Sequence, residues 1–152
     1  MVAALRRIDA QLSKVHLTYF GSECYDHQEF LLEAGNFGSV LPARGIAGVM
    51  ENLENNPQTN VIFINIASAK DAARYILEIK AVKPDILFIV EECMMRWLQT
   101  EIEGQDNDAI AAKEIIQREA LVTAYDVDHT EQELARFIAV NFERFSAKKG
   151  LA

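Results

Sequence analysis

Two short apolar runs constrain the fold of this chain more than any other feature of the sequence. One reads Asn-Val-Ile-Phe-Ile-Asn-Ile from Asn60 to Ile66, and the other reads Asp-Ile-Leu-Phe-Ile-Val from Asp85 to Val90. Both have the length of a β-strand, and neither alternates between apolar and polar residues. Strands of this kind are covered on both faces, which is typical of parallel sheets with helices on either side. The chain is therefore predicted to have an α/β fold.

Three further segments complete a set of five predicted strands. They comprise Val15–Phe20 and Ala120–Tyr125, which contain several β-branched and aromatic residues, and Ser39–Ala43, in which only Val40 is β-branched. Pro42 has no backbone N–H, which suits an edge strand or a strand end better than the centre of a sheet. Helical periodicity separates the strands, and right-handed crossovers then predict a doubly wound parallel sheet of order 2-1-3-4-5, a flavodoxin-like three-layer sandwich.

The helices between the strands are indicated by apolar spacing and by capping residues. Ser68 precedes Asp71 by three positions, the spacing of a capping box at the start of a helix. The polar run Gly104–Asp108 interrupts the helical pattern before the fifth strand and leaves two alternatives, a pair of helices or one kinked helix. We expect one domain over residues 1–152, with an N-terminal helix over 1–13, a core over 14–146 and a tail over 147–152.

The charge balance and the apolar runs exclude several classes of partner. There are 23 acidic and 15 basic residues, a formal charge of −8, and no basic cluster is longer than Lys148–Lys149. This balance opposes binding to a phosphate backbone, so no nucleic-acid partner is expected. No apolar run approaches the roughly 18 to 20 residues that span a bilayer, so no membrane segment is expected. The two cysteines are far apart and the first residues lack the apolar core of a signal peptide, which favours a cytoplasmic location.

Polar residues at the ends of the predicted strands are the candidates for a ligand site. In a doubly wound sheet, ligands bind outside the carboxyl ends of the strands, near the point where the strand order reverses. The candidates at this rim are Gly21, Ser22, Asn65, Ser68, Glu91, Asp126 and Asp128. The competing interpretation is that most of them are helix caps and solvated loop groups.

The sequence gives little support for a metal ion, a cofactor or a reactive thiol. Cys24 and His27, together with Cys93 and His129, carry the atoms that zinc binds, but only the first two form a closely spaced pair. A chain of this length can also fold without a structural metal. We therefore predict no metal and no cofactor, and we expect Cys93 to be buried and inert. Glu91 and Glu92 are adjacent, and neighbouring residues of a strand point to opposite faces, so they are not expected to share one site.

The segment Asp126-Val-Asp-His-Thr130 follows an apolar strand and resembles the Asp-x-Asp-x-Thr signature of haloacid-dehalogenase-like phosphohydrolases. The resemblance implies a nucleophile at Asp126 and an acid/base at Asp128. In that family, however, the motif follows the first strand, and only 22 residues remain after Thr130. The end of a strand followed by a helix cap accounts for the same residues.

The spacing of strands that begin near positions 15, 39, 60, 85 and 120 resembles a response-regulator receiver domain, over residues 14–145. Receivers carry an acidic pair after the first strand, a phosphoacceptor aspartate after the third, Ser or Thr after the fourth and Lys after the fifth. The corresponding places hold Gly21-Ser22, Asn65, Glu91 and Asp126. The resemblance therefore implies a degenerate receiver, or pseudo-receiver, without aspartyl phosphorylation and without magnesium.

Receivers commonly present their fourth and fifth helices to partners, and both helices carry candidate contact residues here. Met94 and Trp97 belong to residue types that are common at adaptable interfaces, although core packing is the alternative for them. The phenylalanines of the last helix, among them Phe142 and Phe145, cannot all face one stripe. We therefore predict a protein partner or a homodimer bound through these two helices.

The sequence favours a non-enzymatic, receiver-like signalling or assembly module that acts through protein–protein contacts. The alternative is a flavodoxin-like domain that binds or hydrolyses a small molecule at the carboxyl rim of the sheet.

Overall fold

A five-stranded parallel sheet with helices on both faces forms the described part of the chain. The computed structural model describes residues 12–21, 37–123 and 131–150. The strands are β1 (His16–Gly21), β2 (Ser39–Ala43), β3 (Val61–Asn65), β4 (Leu87–Val90) and β5 (Ala120–Val122). All neighbours are parallel and the order is β2-β1-β3-β4-β5. The predicted doubly wound, flavodoxin-like sheet is confirmed.

Five helices are present in the described ranges. They are α1 (Ile46–Asn55), α2 (Ala69–Val82), α3 (Glu92–Glu103), α4 (Asn107–Glu119) and α5 (Glu131–Lys149). One buried cluster joins α1, α2, α3 and α4 to the first face of the sheet, and a second joins α5 to the opposite face. The described helices therefore make a three-layer arrangement with the sheet in the middle.

The central strand β3 shows why its sequence has no polar alternation. Ile62 and Ile64 pack into the cluster with α1 to α4, whereas Val61 and Phe63 pack into the cluster with α5. All four side chains are fully buried. Strand β4 divides its residues between the two faces in the same way. The two apolar runs are thus strands covered on both sides, as predicted.

The polar break before the fifth strand separates two helices. Helix α3 ends at Glu103, and α4 begins at Asn107 with Asp106 as its N-cap. Between them Gln105 has φ 67°, in the left-handed region that a continuous helix cannot contain. Of the two alternatives that the sequence left open, the pair of helices is the one formed.

Local sequence signals place other boundaries correctly. The Ser68 hydroxyl accepts a hydrogen bond from the N–H of Asp71 at 3.2 Å and caps α2, as the capping-box spacing predicted. Pro42 lies in β2, which is an edge strand.

The start of β4 differs from the prediction. The strand begins at Leu87 and not at Asp85, after a bend at residues 84–85.

Several predictions fall on residues outside the described ranges. The N-terminal helix over 1–13 lies there except for its last two positions, and so does the end of the fifth strand at Tyr125. Within the described ranges, none of the helices combines the length and the apolar character needed to cross a membrane.

Candidate functional site

The carboxyl edge of the sheet holds three of the predicted rim residues at strand ends. Gly21 ends β1 and is paired in register with Asn65, which ends β3, while Glu91 directly follows β4. Ser22, Asp126 and Asp128 lie outside the described residues.

Gly21 is required here by the close approach of an aromatic ring. A Cβ atom at this position would lie 2.2 Å from Cε1 of Tyr19, well inside van der Waals contact. The ring of Tyr19 in turn stacks on Phe63, with centroids 5.6 Å apart and planes inclined by 14°. The glycine therefore has a packing role at the end of β1.

Asn65 is a buried amide with a partner inside the sheet. Its side chain is 4% exposed, and Nδ2 donates to the hydroxyl of Tyr19 at 3.4 Å. Both side chains lie on the face of the sheet that α5 covers. At the place where a receiver carries its phosphoacceptor, this chain has an amide that is engaged with its own core.

Glu91 and Glu92 occupy different environments at the junction of β4 and α3. The sequence predicted both in a strand, but Glu91 is the N-cap residue of α3 and Glu92 is its first residue. Glu91 is 4% exposed, and its side chain does not cap the helix. The carboxylate of Glu92 pairs with Arg96 at 3.0 Å on the helix surface. One carboxylate is thus buried at the N-cap of α3, and the other lies in an ion pair on the surface of the same helix.

Thr123 is a rim residue that the sequence reasoning missed. It follows β5, is buried, and its hydroxyl accepts a hydrogen bond from the N–H of Glu92 at 3.1 Å. This bond ties the end of β5 to the first turn of α3. The only signal for it in the sequence was a hydroxyl residue within the predicted fifth strand, where β-propensity explains a threonine equally well.

Cys93 is a half-buried thiol with a raised pKa. Burial is the main cause, and the neighbouring carboxylate of Glu91 adds to it because both disfavour the thiolate. A thiol that holds its proton more tightly is a poor nucleophile and a poor metal ligand at neutral pH. The expected inert thiol agrees with this environment, although Cys93 is less buried than predicted.

The zinc hypothesis rests mainly on residues that the structure does not describe. Cys24, His27 and His129 all lie outside the described ranges. Within those ranges, no group of three or more His, Cys, Asp or Glu side chains is arranged to hold a metal ion.

Ser68, the remaining predicted rim residue in the described ranges, uses its hydroxyl to cap α2.

The four predicted interface residues differ sharply in exposure. Met94 and Phe142 are 3% and 7% exposed and belong to the two buried clusters, which corrects their assignment to a contact surface. Each forms a buried stripe with a residue one turn away, Met94 with Leu98 and Phe142 with Ile138. Phe145 is half-buried and packs against the second cluster.

Trp97 is the exception, because its side chain is 73% exposed on the outer face of α3. The exposed residues beside it along the helix include both charge signs, since Arg96 precedes it and Glu101 lies one turn later. A large aromatic group surrounded by polar and charged side chains has the pattern of an interface centre with a polar rim.

A cavity of about 470 Å³ lies at the opposite, amino-terminal edge of the sheet. Its walls come from the starts of β4 and β5 and from the C-terminal parts of α2, α4 and α5. The sequence reasoning missed this cavity because the residues that line it are scattered along the sequence. Basic residues near a helix end are also common for another reason, their favourable interaction with the helix dipole.

No family model, no curated protein and no solved structure matches the chain.

Proposed function

We propose that the chain is a non-enzymatic, receiver-like module that acts in signalling or assembly through protein–protein contacts, without aspartyl phosphorylation. The observation that carries the proposal is the exposure of Trp97. Tryptophan is the residue type most enriched among the positions that dominate binding energy at interfaces. Burial of such a side chain against a partner contributes about 2 kcal/mol from the apolar area alone.

The rigidity of α3 supports this role for Trp97. Met94 and Leu98 anchor the helix to the core on its inner side. The N–H of Glu92 is held by Thr123, and Lys113 of α4 donates to Gln99 of α3 at 3.2 Å. An aromatic side chain on a fixed helix loses little conformational entropy of the backbone when it binds.

A second copy of the chain is the partner that the charges favour. Arg96 and the acidic residues of α3 place both signs around Trp97. A surface that carries both signs can be self-complementary about a two-fold axis, where a cation of one copy meets an anion of the other. The Trp97 side chains of the two copies then pack against each other at the axis.

The experiment is sedimentation equilibrium of the full chain over a wide range of concentrations. We expect a reversible dimer for the wild type and a monomer for Trp97→Glu, since the new carboxylate would be buried against its symmetry mate. Gln99→Glu adds the same charge on the same helix without removing an apolar group, and it should leave most of the dimer. A wild type that stays monomeric, or a Trp97→Glu variant that still dimerises, would contradict the proposed self-association.

The second candidate function is the binding of a small molecule at the carboxyl rim. Glu91 favours it, because its carboxylate is buried directly after β4, at the edge of the sheet where doubly wound folds bind their ligands. Asn65 at the end of β3 and Thr123 after β5 add buried polar groups on the two strands that flank β4. Native mass spectrometry of the purified chain tests this candidate: a retained small molecule that is lost in Glu91→Gln supports it, and ligand-free wild-type protein opposes it.

A further inference from the structure

The walls of the amino-edge cavity carry a charge opposite to that of the whole chain. Among the residues that the structure describes, five cationic side chains line the cavity, namely Lys80, Arg118, Arg144, Lys148 and Lys149, and one carboxylate, that of Glu119. The lining is therefore positive by four charges, whereas the chain has a formal charge of −8. Such a concentration of one sign in a concave site raises the local concentration of ligands with the other sign.

Two of the five cations are already paired within the cavity wall. Glu119 accepts hydrogen bonds from Lys80 and from Arg118, the second at 2.9 Å, and these bonds lower the pKa of the carboxyl group. Arg144, Lys148 and Lys149 have no ion pair in the part of the chain that the structure describes. Three positive groups at this cavity thus lack a described counter-charge.

The helix dipole accounts for only part of this charge. Helices α2, α4 and α5 end at this edge, and each has a basic residue in its last turn. Three helix ends together supply roughly one and a half negative charges, fewer than the net positive charge of the side chains. Arg144 also lies before the last turn of α5, where the dipole has little effect.

The uncharged residues of the cavity wall are apolar, apart from Asn141. Leu121 and Phe145 line it with half-buried side chains, and Ile86 and Phe88 form its buried back. Its volume of about 470 Å³ lies within the range of roughly 300 to 1,000 Å³ that is usual for small-molecule sites. Such sites combine an apolar wall with a few charged groups that orient the ligand.

We propose that this cavity binds a soluble organic phosphate, with the phosphate group held by the arginines and lysines and an apolar or aromatic group held against Leu121 and Phe145. Arginine donates two parallel hydrogen bonds to phosphate oxygens, and lysine adds a compact positive charge. The dianionic phosphate matches the excess of positive charge better than a single carboxylate does. The site does not depend on the proposed protein contact, because Trp97 does not line the cavity.

The test is isothermal titration calorimetry of the full chain at low salt, with phenyl phosphate as the probe and with inorganic phosphate and phenol as comparison ligands. We expect one site with a Kd below about 1 mM for phenyl phosphate and weaker binding of both comparison ligands. Undetectable binding of phenyl phosphate at millimolar concentration overturns the proposal. Equal affinity for inorganic phosphate overturns the role of the apolar wall.

Matched variants locate the site. Arg144→Gln should weaken phenyl phosphate binding about tenfold, since it removes a charged hydrogen-bond donor. Arg136→Gln removes the same charge from an exposed position of the same helix that does not line the cavity, and should change the Kd by no more than about twofold. Equal losses in the two variants would overturn the assignment to this cavity.

The exposed pair Lys148→Gln, Lys149→Gln provides a further test that does not disturb the core. These substitutions should also weaken binding, and circular dichroism should show an unchanged melting temperature. Phe145→Leu should weaken the binding of phenyl phosphate and leave that of inorganic phosphate unchanged. Retention of full phenyl phosphate affinity in both of these variants would contradict the proposed site.

Discussion

The ammonium group of Lys70 lies 2.9 Å from the carboxylate of Asp106, and the same carboxylate caps the following helix. Asp106 accepts hydrogen bonds from the N–H groups of Asp108 and Ala109, at 2.9 and 3.2 Å. One side chain therefore ties the start of α4 to α2. This arrangement fixes the turn at Gln105, which has a positive φ.

The first prediction concerns the acid stability that this contact provides. The hydrogen bond from Lys70, followed by that from the N–H of Ala109, lowers the pKa of Asp106. A lowered pKa in the folded state means that the stabilisation is complete above the ordinary pKa of an aspartate, near pH 4, and is lost as the pH falls through the lowered value. Asp106→Asn keeps a capping oxygen but removes this dependence on pH.

Thermal unfolding between pH 6 and pH 2, an interval of about four units around that pKa, measures the effect. We expect the wild type to have a higher melting temperature than Asp106→Asn near pH 6. This difference in melting temperature should shrink below about pH 4. Asp85→Asn, the same change at another exposed position, should show no such convergence. If the melting temperatures of the wild type and Asp106→Asn change in parallel over this pH range, the prediction is contradicted.

The second prediction compares two buried threonines. Thr18 is fully buried, and its hydroxyl has no hydrogen-bond partner among the described residues. The hydroxyl of Thr59 is also buried, but it donates to the carbonyl of Asn56 at 2.8 Å. Valine has nearly the shape of threonine and lacks the hydroxyl, so the same substitution has opposite consequences at the two positions.

Urea denaturation should show that Thr18→Val leaves the free energy of unfolding unchanged or raises it by about 1 kcal/mol, because an unsatisfied polar group is removed. Thr59→Val should lower it by about 1 kcal/mol, since the Asn56 carbonyl loses a donor. A loss of stability in Thr18→Val as large as that in Thr59→Val would show that the Thr18 hydroxyl is satisfied.

The third prediction is that the chain accepts no phosphoryl group in the manner of a receiver. Transfer to a carboxylate needs an aspartate nucleophile and a magnesium ion that neutralises the developing charge. Strand β3 ends instead in the buried amide of Asn65, which donates to Tyr19. An amide cannot replace the carboxylate as a nucleophile.

Incubation with acetyl phosphate and magnesium, followed by intact-mass measurement, should therefore show no added phosphate. A phosphorylatable receiver domain treated in parallel provides the positive control. A stoichiometric phosphate adduct that hydroxylamine removes would refute the prediction, and Asp126 would then be the first residue to replace.

The fold was predictable because its signals are local or periodic. The apolar run around Phe63 shows a strand covered on both faces, the Ser68 spacing shows a helix start, and Pro42 shows an edge strand. The order of the strands then follows from the handedness of the crossovers. The break between α3 and α4 is also marked locally, by the positive φ of Gln105 and the N-cap Asp106, and the contact of Asp106 with Lys70, 36 positions away, adds a tertiary contribution that the local pattern does not contain.

The sites were less predictable because they depend on which side of a helix faces the core. Four apolar side chains of α3 and α5 looked alike in sequence, yet Trp97 is exposed and Phe142 is buried. The amino-edge cavity brings together Lys80, Arg118 and Arg144, which lie on three different helices. Each of them resembles an ordinary surface cation until the helices are packed.

The last prediction uses Glu119 to separate ligand affinity from stability at the proposed phosphate site. Its carboxylate is the one negative side chain lining the cavity in the described ranges, and it pairs with Lys80 and Arg118. Glu119→Gln removes this charge and releases both cations for a phosphate group. Removal of a unit charge at contact distance in a hydrated site is worth about 1 kcal/mol, so the affinity for phenyl phosphate should rise roughly fivefold.

The same substitution should lower the melting temperature, because the hydrogen bonds from Lys80 and Arg118 stabilise the ionised carboxylate in the folded state. Calorimetric titration and thermal unfolding of the same samples measure the two changes. Glu114→Gln removes an equal charge from an exposed position of α4 that does not line the cavity, and should alter the Kd by no more than about twofold. Tighter binding in a less stable protein cannot arise from general damage to the fold, whereas an unchanged or weaker affinity would exclude Lys80 and Arg118 from the phosphate site.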